Sequence, residues 1–148
     1  MNIRDLLSPA RVTFDLKSNS KEEAIDELID ILDRDGKLYD RALFKKAVMD
    51  REAVFSTGVG LGIAIPHGKD KSVKEPAVTF GLSKQGVDFK ASDGTLAHLL
   101  FLISVPEDSD DMHLKVLVTI SRKLMHEDVR NKLLKSKSYE SVLEAFGD

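Results

Sequence analysis

The sequence predicts an α/β sandwich, a sheet with helices on both faces. Three observations carry this. Helical apolar stripes occur before, between and after strand-like runs. One run, Leu96 to Val105 (LAHLLFLISV), is nearly all apolar and reads as a central strand buried on both faces. The length of 148 residues, with 42% hydrophobic and 32% charged, suits one domain with a substantial core.

The elements follow in order. Val12 to Leu16 (VTFDL) alternates apolar and polar residues, as a half-buried strand does. Ser20 to Glu23 (SKEE) is a capping box, with Ser20 at the N-cap and Glu23 reaching back. The helix behind it sets Ala24, Ile25, Leu28, Ile29 and Leu32 on one face, and Gly36 ends it. Asp40 is placed to cap a second helix with the stripe Leu43, Phe44, Ala47 and Val48. A short β-like run, Ile63 to Ile65, comes next. Pro76 opens a strand over AVTFGLS; Gly86, and then Ser92 to Gly94, mark turns on either side of VDF. Pro106 to Asp111 is a loop in which Ser109 or Asp110 caps a helix from Met112 to Met125. Two shorter helices, Glu127 to Leu134 and Tyr139 to Phe146, complete the pattern. No repeat, linker or low-complexity stretch interrupts it, so residues 1–148 are expected to form a single domain.

Bulk properties narrow the function. A net charge of −3 and a pI near 5.8 argue against nucleic acid as a partner. No apolar run approaches the roughly 18 residues of a membrane span, so no membrane insertion is expected. The opening MNIRDLLSPA carries charges where a signal peptide is apolar, and the expected location is the cytoplasm. The absence of cysteine rules out disulfides, thiolate metal sites and cysteine nucleophiles. No two histidines stand at i, i+4, and neither a metal nor a cofactor is expected.

Gly58 to Lys69 (GVGLGIAIPHGK) sets glycines at every second position before Pro66, His67 and Gly68. Neither the Walker frame GxxxxGK[ST] nor the dinucleotide frame GxGxxG fits it. Spacing alone leaves two readings open. One is a bulged strand whose glycines admit a close neighbour. In the other, small residues let backbone N–H groups approach an anion, and Gly68 leaves one side of His67 free of a Cβ.

Two further residues stand out. His113 precedes Val116, Leu117 and Ile120 by three, four and seven positions, so it continues a buried stripe into a first helical turn. There the helix dipole disfavours an imidazolium and favours an anion. Arg51 follows Phe44 by seven and Ala47 by four, which extends the apolar stripe of its helix to the C-terminal end. It is either a helix-end cation or a guanidinium aimed at an anion in a cleft. His98, inside the apolar strand, reads as a hydrogen-bonded sheet histidine, and His126 as an exposed one.

REAVFSTGVGLGIAIPHG, from Arg51, closely resembles the phosphorylation-site signature of enzyme IIA domains of the bacterial phosphotransferase system (PTS), type 2, the fructose–mannitol class. HLKVLVTISRKLM, from His113, resembles that family's second-histidine helix, and the opening strand with SKEEAIDELIDIL also fits. The resemblance spans essentially the whole chain. It implies a mixed central sheet flanked by helices in a three-layer α/β/α sandwich. It implies that His67 accepts phosphate on Nε2 from the phosphocarrier HPr, with its other nitrogen on a backbone carbonyl. His113 would support the phosphoryl group, and Arg51 would pair with it or with a partner. The phosphate would pass to a cysteine on a IIB domain during sugar uptake, fructose-class in this reading. The alternative is a regulatory nitrogen-type protein whose phosphorylation state controls partners. With no cysteine here, the IIB acceptor lies outside this sequence. Leu61 stands where the family commonly has a polar residue, on what is expected to be the rim of the site.

Overall fold

A computed structural model describes residues 2–147. In chain order it contains β1 (Val12–Thr13), α1 (Lys21–Arg34), α2 (Arg41–Val54), β2 (Gly58–Gly60), β3 (Ile63–Ala64), β4 (His67–Asp70), β5 (Ala77–Val87), β6 (Ala97–Pro106), α3 (Met112–Leu124), α4 (Glu127–Leu134) and α5 (Tyr139–Phe146). The strands form one mixed sheet in the order β1-β5-β6-β3-β2, with β4 also paired to β6. β5 and β6 are antiparallel, whereas β1 runs parallel to β5, and β3 and β4 run parallel to β6. β3 and β4 lie end to end along β6: Ile63 faces Leu99, and His67 faces Ile103. The Ile103 N–H donates to the Pro66 carbonyl at 3.0 Å, so pairing continues through the proline that separates the two strands.

The unbroken apolar run of β6 follows from its central place. Leu99, Phe101, Ile103 and Val105 pack with Val116, Ile120 and Leu124 of α3 and with Phe146 of α5. Leu100 and Leu102 point the other way, into Ile25, Leu28, Leu32, Phe44 and Val48 of α1 and α2. Strand alternation thus feeds two cores, and helices cover both faces as the sequence predicts. Each such fully buried side chain contributes about 1.5–3 kcal/mol of transfer free energy. Among the described residues no helix is long and apolar enough to cross a membrane.

Several expected details differ. β1 spans two residues rather than five, because the Asp15 N–H turns back to Thr13 Oγ1 and leaves the ladder. Leu16 rejoins β5 through the Leu82 carbonyl at 3.0 Å. At α1, Ser20 Oγ caps the Glu23 N–H, but the Glu23 carboxylate accepts from the Ser20 hydroxyl rather than from its backbone. Leu43 is exposed, so the buried stripe of α2 is Phe44, Val48 and then Glu52, at i, i+4 spacing. Gly86 does not turn the chain. It sits inside β5 at φ +85°, where the β5–β6 ladder shifts register between Leu82 and Val87. Neither Ser109 nor Asp110 caps α3: the Ser109 hydroxyl donates to the Pro106 carbonyl, and Asp111 occupies the cap position without a side-chain bond.

Candidate active site

His67 opens β4, and its parallel neighbour Ile103 belongs to the core beneath α3. His67 therefore faces α3, and Gly68 faces α2. A Cβ on Gly68 would lie 2.9 Å from Phe44 Cε1 and 3.0 Å from Val48 Cγ2. The glycine is needed so that α2 can close on β4, not to clear space beside the imidazole. That approach brings the C-terminal turn of α2, with Arg51 and Glu52, to the histidine.

His67 is only 8% exposed, and its Nδ1 lies 3.0 Å from the Ile65 carbonyl oxygen. A carbonyl only accepts, so Nδ1 carries the proton and the neutral ring presents its lone pair on Nε2. The sequence-based expectation of a carbonyl partner for the second ring nitrogen is met by Ile65. Burial holds the His67 pKa below the usual histidine value, and the Arg51 charge adds to the shift. The Ile65 carbonyl and the Glu52 carboxylate oppose it.

His113 stands in the first turn of α3, with its ring centroid 6.5 Å from that of His67 and the planes tilted by 32°. Its Nδ1 is buried and bonds to no other group among the described residues. An unsatisfied buried ring nitrogen costs roughly 1–3 kcal/mol, so this one marks a place for a partner. Burial lowers the His113 pKa, as do the charges of Lys69 and His67, against a smaller opposing effect of Asp111. Arg51 donates to the Phe55 carbonyl at 2.9 Å and lies over the Phe55 ring at 4.5 Å. The structure thus gathers His67, His113 and Arg51.

Of the two readings left open for the glycine stretch, the structure bears out the bulged strand. β2 and β3 form a bulged hairpin around Gly60, Leu61 and Gly62. Three amides of this stretch are already spent inside the chain. Gly58 donates to Ser56 Oγ, Leu61 to Asp93 Oδ2 and Gly62 to Thr95 Oγ1. The hairpin is pinned to the loop before β6, and the bulged-strand reading describes it. Leu61 is at the hairpin tip, 56% exposed with φ +58°, and is not on the rim beside His113. It lines a hollow of about 160 Å³ with Ser121, Leu124 and Met125, toward the other end of α3. His98 Nδ1 donates to the Ser83 carbonyl within the sheet, and His126 is exposed, as read.

Sequence reasoning missed Lys69, Glu52 and Thr57. The Lys69 ammonium donates to the Asp110 carbonyl, just before α3. Its signal was its place two residues after His67 on a strand, which sets both on one face. Glu52 is buried and bonds to Thr57 and Lys21. Its signal was its position four after Val48, on the apolar stripe. Among the described residues no group of three or more His, Cys, Asp or Glu side chains is arranged to hold a metal ion.

The comparisons with known proteins agree with this fold. A fructose-specific EIIABC component of Bacillus subtilis is 43% identical over 97% of this chain, which spans only 23% of that protein. A fructose-specific EIIA component of Haloferax volcanii is 43% identical over 87% of this chain and 84% of its own. The crystal structure of the nitrogen regulatory protein IIA-Ntr from Neisseria meningitidis matches with a TM-score of 0.88 at 31% identity, covering 96% of this chain and 97% of that one. Fructose-specific and nitrogen regulatory proteins are thus both similar to this chain. Residues 5–148 match the model of the phosphoenolpyruvate-dependent sugar phosphotransferase system, EIIA 2, and the chain belongs to that family.

Proposed function

We propose that His67 is the phosphoryl acceptor of this chain, charged by an HPr-type phosphohistidine, with His113 and Arg51 holding the phosphoryl oxygens. The observation that carries this reading is the pairing of a free Nε2 on His67 with a facing His113 whose Nδ1 lacks a partner. In transfer, the bond from phosphorus to the donor nitrogen breaks as the bond to Nε2 forms. The electron pair of the broken bond returns to the donor ring, and Nδ1 of His67 keeps its proton on the Ile65 carbonyl. Phosphoryl transfer asks mainly for positioning and charge stabilisation. His113 at a helix start and the Arg51 guanidinium supply the charge stabilisation, with Lys69 close by.

Phospho-His67 has two possible outlets. The regulatory one, in which the phosphorylation state governs partner proteins, is favoured by the whole-fold match to the Neisseria nitrogen regulatory protein. The transport one, in which a IIB cysteine takes the phosphate for fructose-class sugar uptake, is favoured by the 43% identity to the fructose-specific chains. Incubation with phosphoenolpyruvate, enzyme I and HPr, read by intact mass, tests the common step. One acid-labile, base-stable phosphate is expected, and His67→Ala is expected to carry none. Phosphate remaining on that variant, or an acid-stable label, rejects the assignment. Adding a fructose-class IIBC with sugar then separates the outlets: sugar phosphate forms only if transport is the role.

A further inference from the structure

Glu52 is a buried carboxylate that the transfer chemistry above does not use. Its side chain is 3% exposed. Burying a carboxylate is costly unless it is fully bonded. Here Oε1 accepts the Thr57 N–H at 2.8 Å and lies 2.9 Å from the Lys21 ammonium, and Oε2 accepts the Thr57 hydroxyl at 2.6 Å. The Thr57 carbonyl in turn accepts the Ile65 N–H at 3.0 Å. The other end of that residue, the Ile65 carbonyl, is 3.0 Å from His67 Nδ1. One hydrogen-bonded chain therefore runs from an ion pair between α1 and α2, through the base of the hairpin, to the imidazole.

We propose that Glu52 and Thr57 are positioning residues for His67: through Ile65 they aim the carbonyl that holds the Nδ1 proton, and Glu52 supplies negative charge behind the ring. This rests on the reading of His67 as the acceptor. The chemistry gives the charge a purpose. With phosphorus on Nε2 and a proton on Nδ1, the ring of phospho-His67 is formally an imidazolium. A negative group at its back stabilises that form, and an imidazolium leaves phosphorus more readily than a ring without the proton. Besides Glu52, the charge acting on His67 is that of Arg51 on α2, while His113 on α3 faces the ring with Lys69 and Asp111 around it. Among the described groups whose charge acts on His67 itself, Glu52 alone is anionic. Hydrogen bonds within such a chain also polarise one another, so the loss of one weakens the rest.

The test uses Glu52→Gln, Thr57→Val and Thr57→Ser in the whole chain. First, 15N NMR of the unphosphorylated protein reads the His67 tautomer and titration midpoint without any transfer step. In Glu52→Gln the midpoint is expected to fall by about half a unit or more, since a nearby negative charge is lost. In Thr57→Val the Nδ1–H tautomer is expected to lose its dominance, and Thr57→Ser should restore it. Second, single-turnover transfer from phospho-HPr should slow by about tenfold in Glu52→Gln and Thr57→Val, but not in Thr57→Ser. Should Glu52→Gln fail to fold, the valine and serine pair decides alone. Wild-type tautomer, midpoint and rate in a folded Thr57→Val overturn the proposal, leaving the chain a purely structural brace. Phosphate on a residue other than His67 would instead sink the acceptor reading, and the NMR arm would still report on the chain of bonds.

Discussion

A histidine that is nine-tenths buried beside a guanidinium is held neutral where an exposed one begins to charge. Both His67 and His113 have folded-state pKa values below the ordinary value of about 6.5. The sign for stability follows. Above about 6.5 neither folded nor unfolded chain protonates these rings. As pH falls through 6.5 the unfolded chain takes up protons that the folded chain refuses, so unfolding becomes easier. Urea titrations should show stability declining from about pH 6.5 downward until the lowered values are reached, and His113→Asn should flatten the decline. Acceptance of phosphate needs the Nε2 lone pair, so its rate–pH profile should break below 6.5; a break above that value contradicts the burial argument. His113→Ala should leave the fold intact and slow transfer by about a hundredfold, the usual cost of losing one donor to a developing charge. An unchanged rate would make His113 a packing residue. At this scale the sequence was informative where a polar residue sat on an apolar stripe. His113 and Arg51 were read that way, and Glu52 could have been, four after Val48. The orphaned Nδ1 of His113 was not readable, because it depends on what folds around it.

Helices were legible where their ends are decided locally. Ser20 and Asp40 cap α1 and α2 from neighbouring sequence, and Ser138 does the same for α5. The start of α3 was not, because the Ser109 hydroxyl is diverted to Pro106 and Asp110 adopts φ +56°. Gly86 was misread for a related reason: whether a glycine turns a chain or bulges a strand is settled by the partner strand. The fit of α2 on β4 gives the element its own prediction. Gly68→Ala should cost about 1–3 kcal/mol in a denaturant titration, since Phe44 and Val48 are backed by packed core. The same variant should slow phosphate acceptance, because α2 carries Arg51 and Glu52. A stable Gly68→Ala protein with normal transfer would mean that α2 yields without moving its end. On α3, exposed Leu114, Val118 and Met125 recur along the outer side, with Leu61 across the hollow at the far end. The helix that carries His113 inward thus shows apolar side chains outward.

The sandwich as a whole was foreseeable from alternating helical and strand-like patterns, but its wiring was not. Nothing local in PHGKD says that β4 takes the edge of β6 below β3, or that it does so in parallel. That choice satisfies the backbone of a strand interrupted by Pro66, and it turns His67 toward α3. The site is consequently drawn from distant parts of the chain: Arg51 from α2, His67 from β4 and His113 from α3. This arrangement bears on synthesis. His67 emerges from the ribosome before Ile103, its strand partner, and well before His113. A nascent chain that has only reached the loop before β6 holds its histidine as a solvated, protonatable side chain with no fixed aim. The proposed acceptor geometry is complete only after β6 docks and α3 folds over it. On the proposed reading of His67 as the acceptor, phosphate on the histidine would certify that translation has passed α3, and unfinished copies would stay silent.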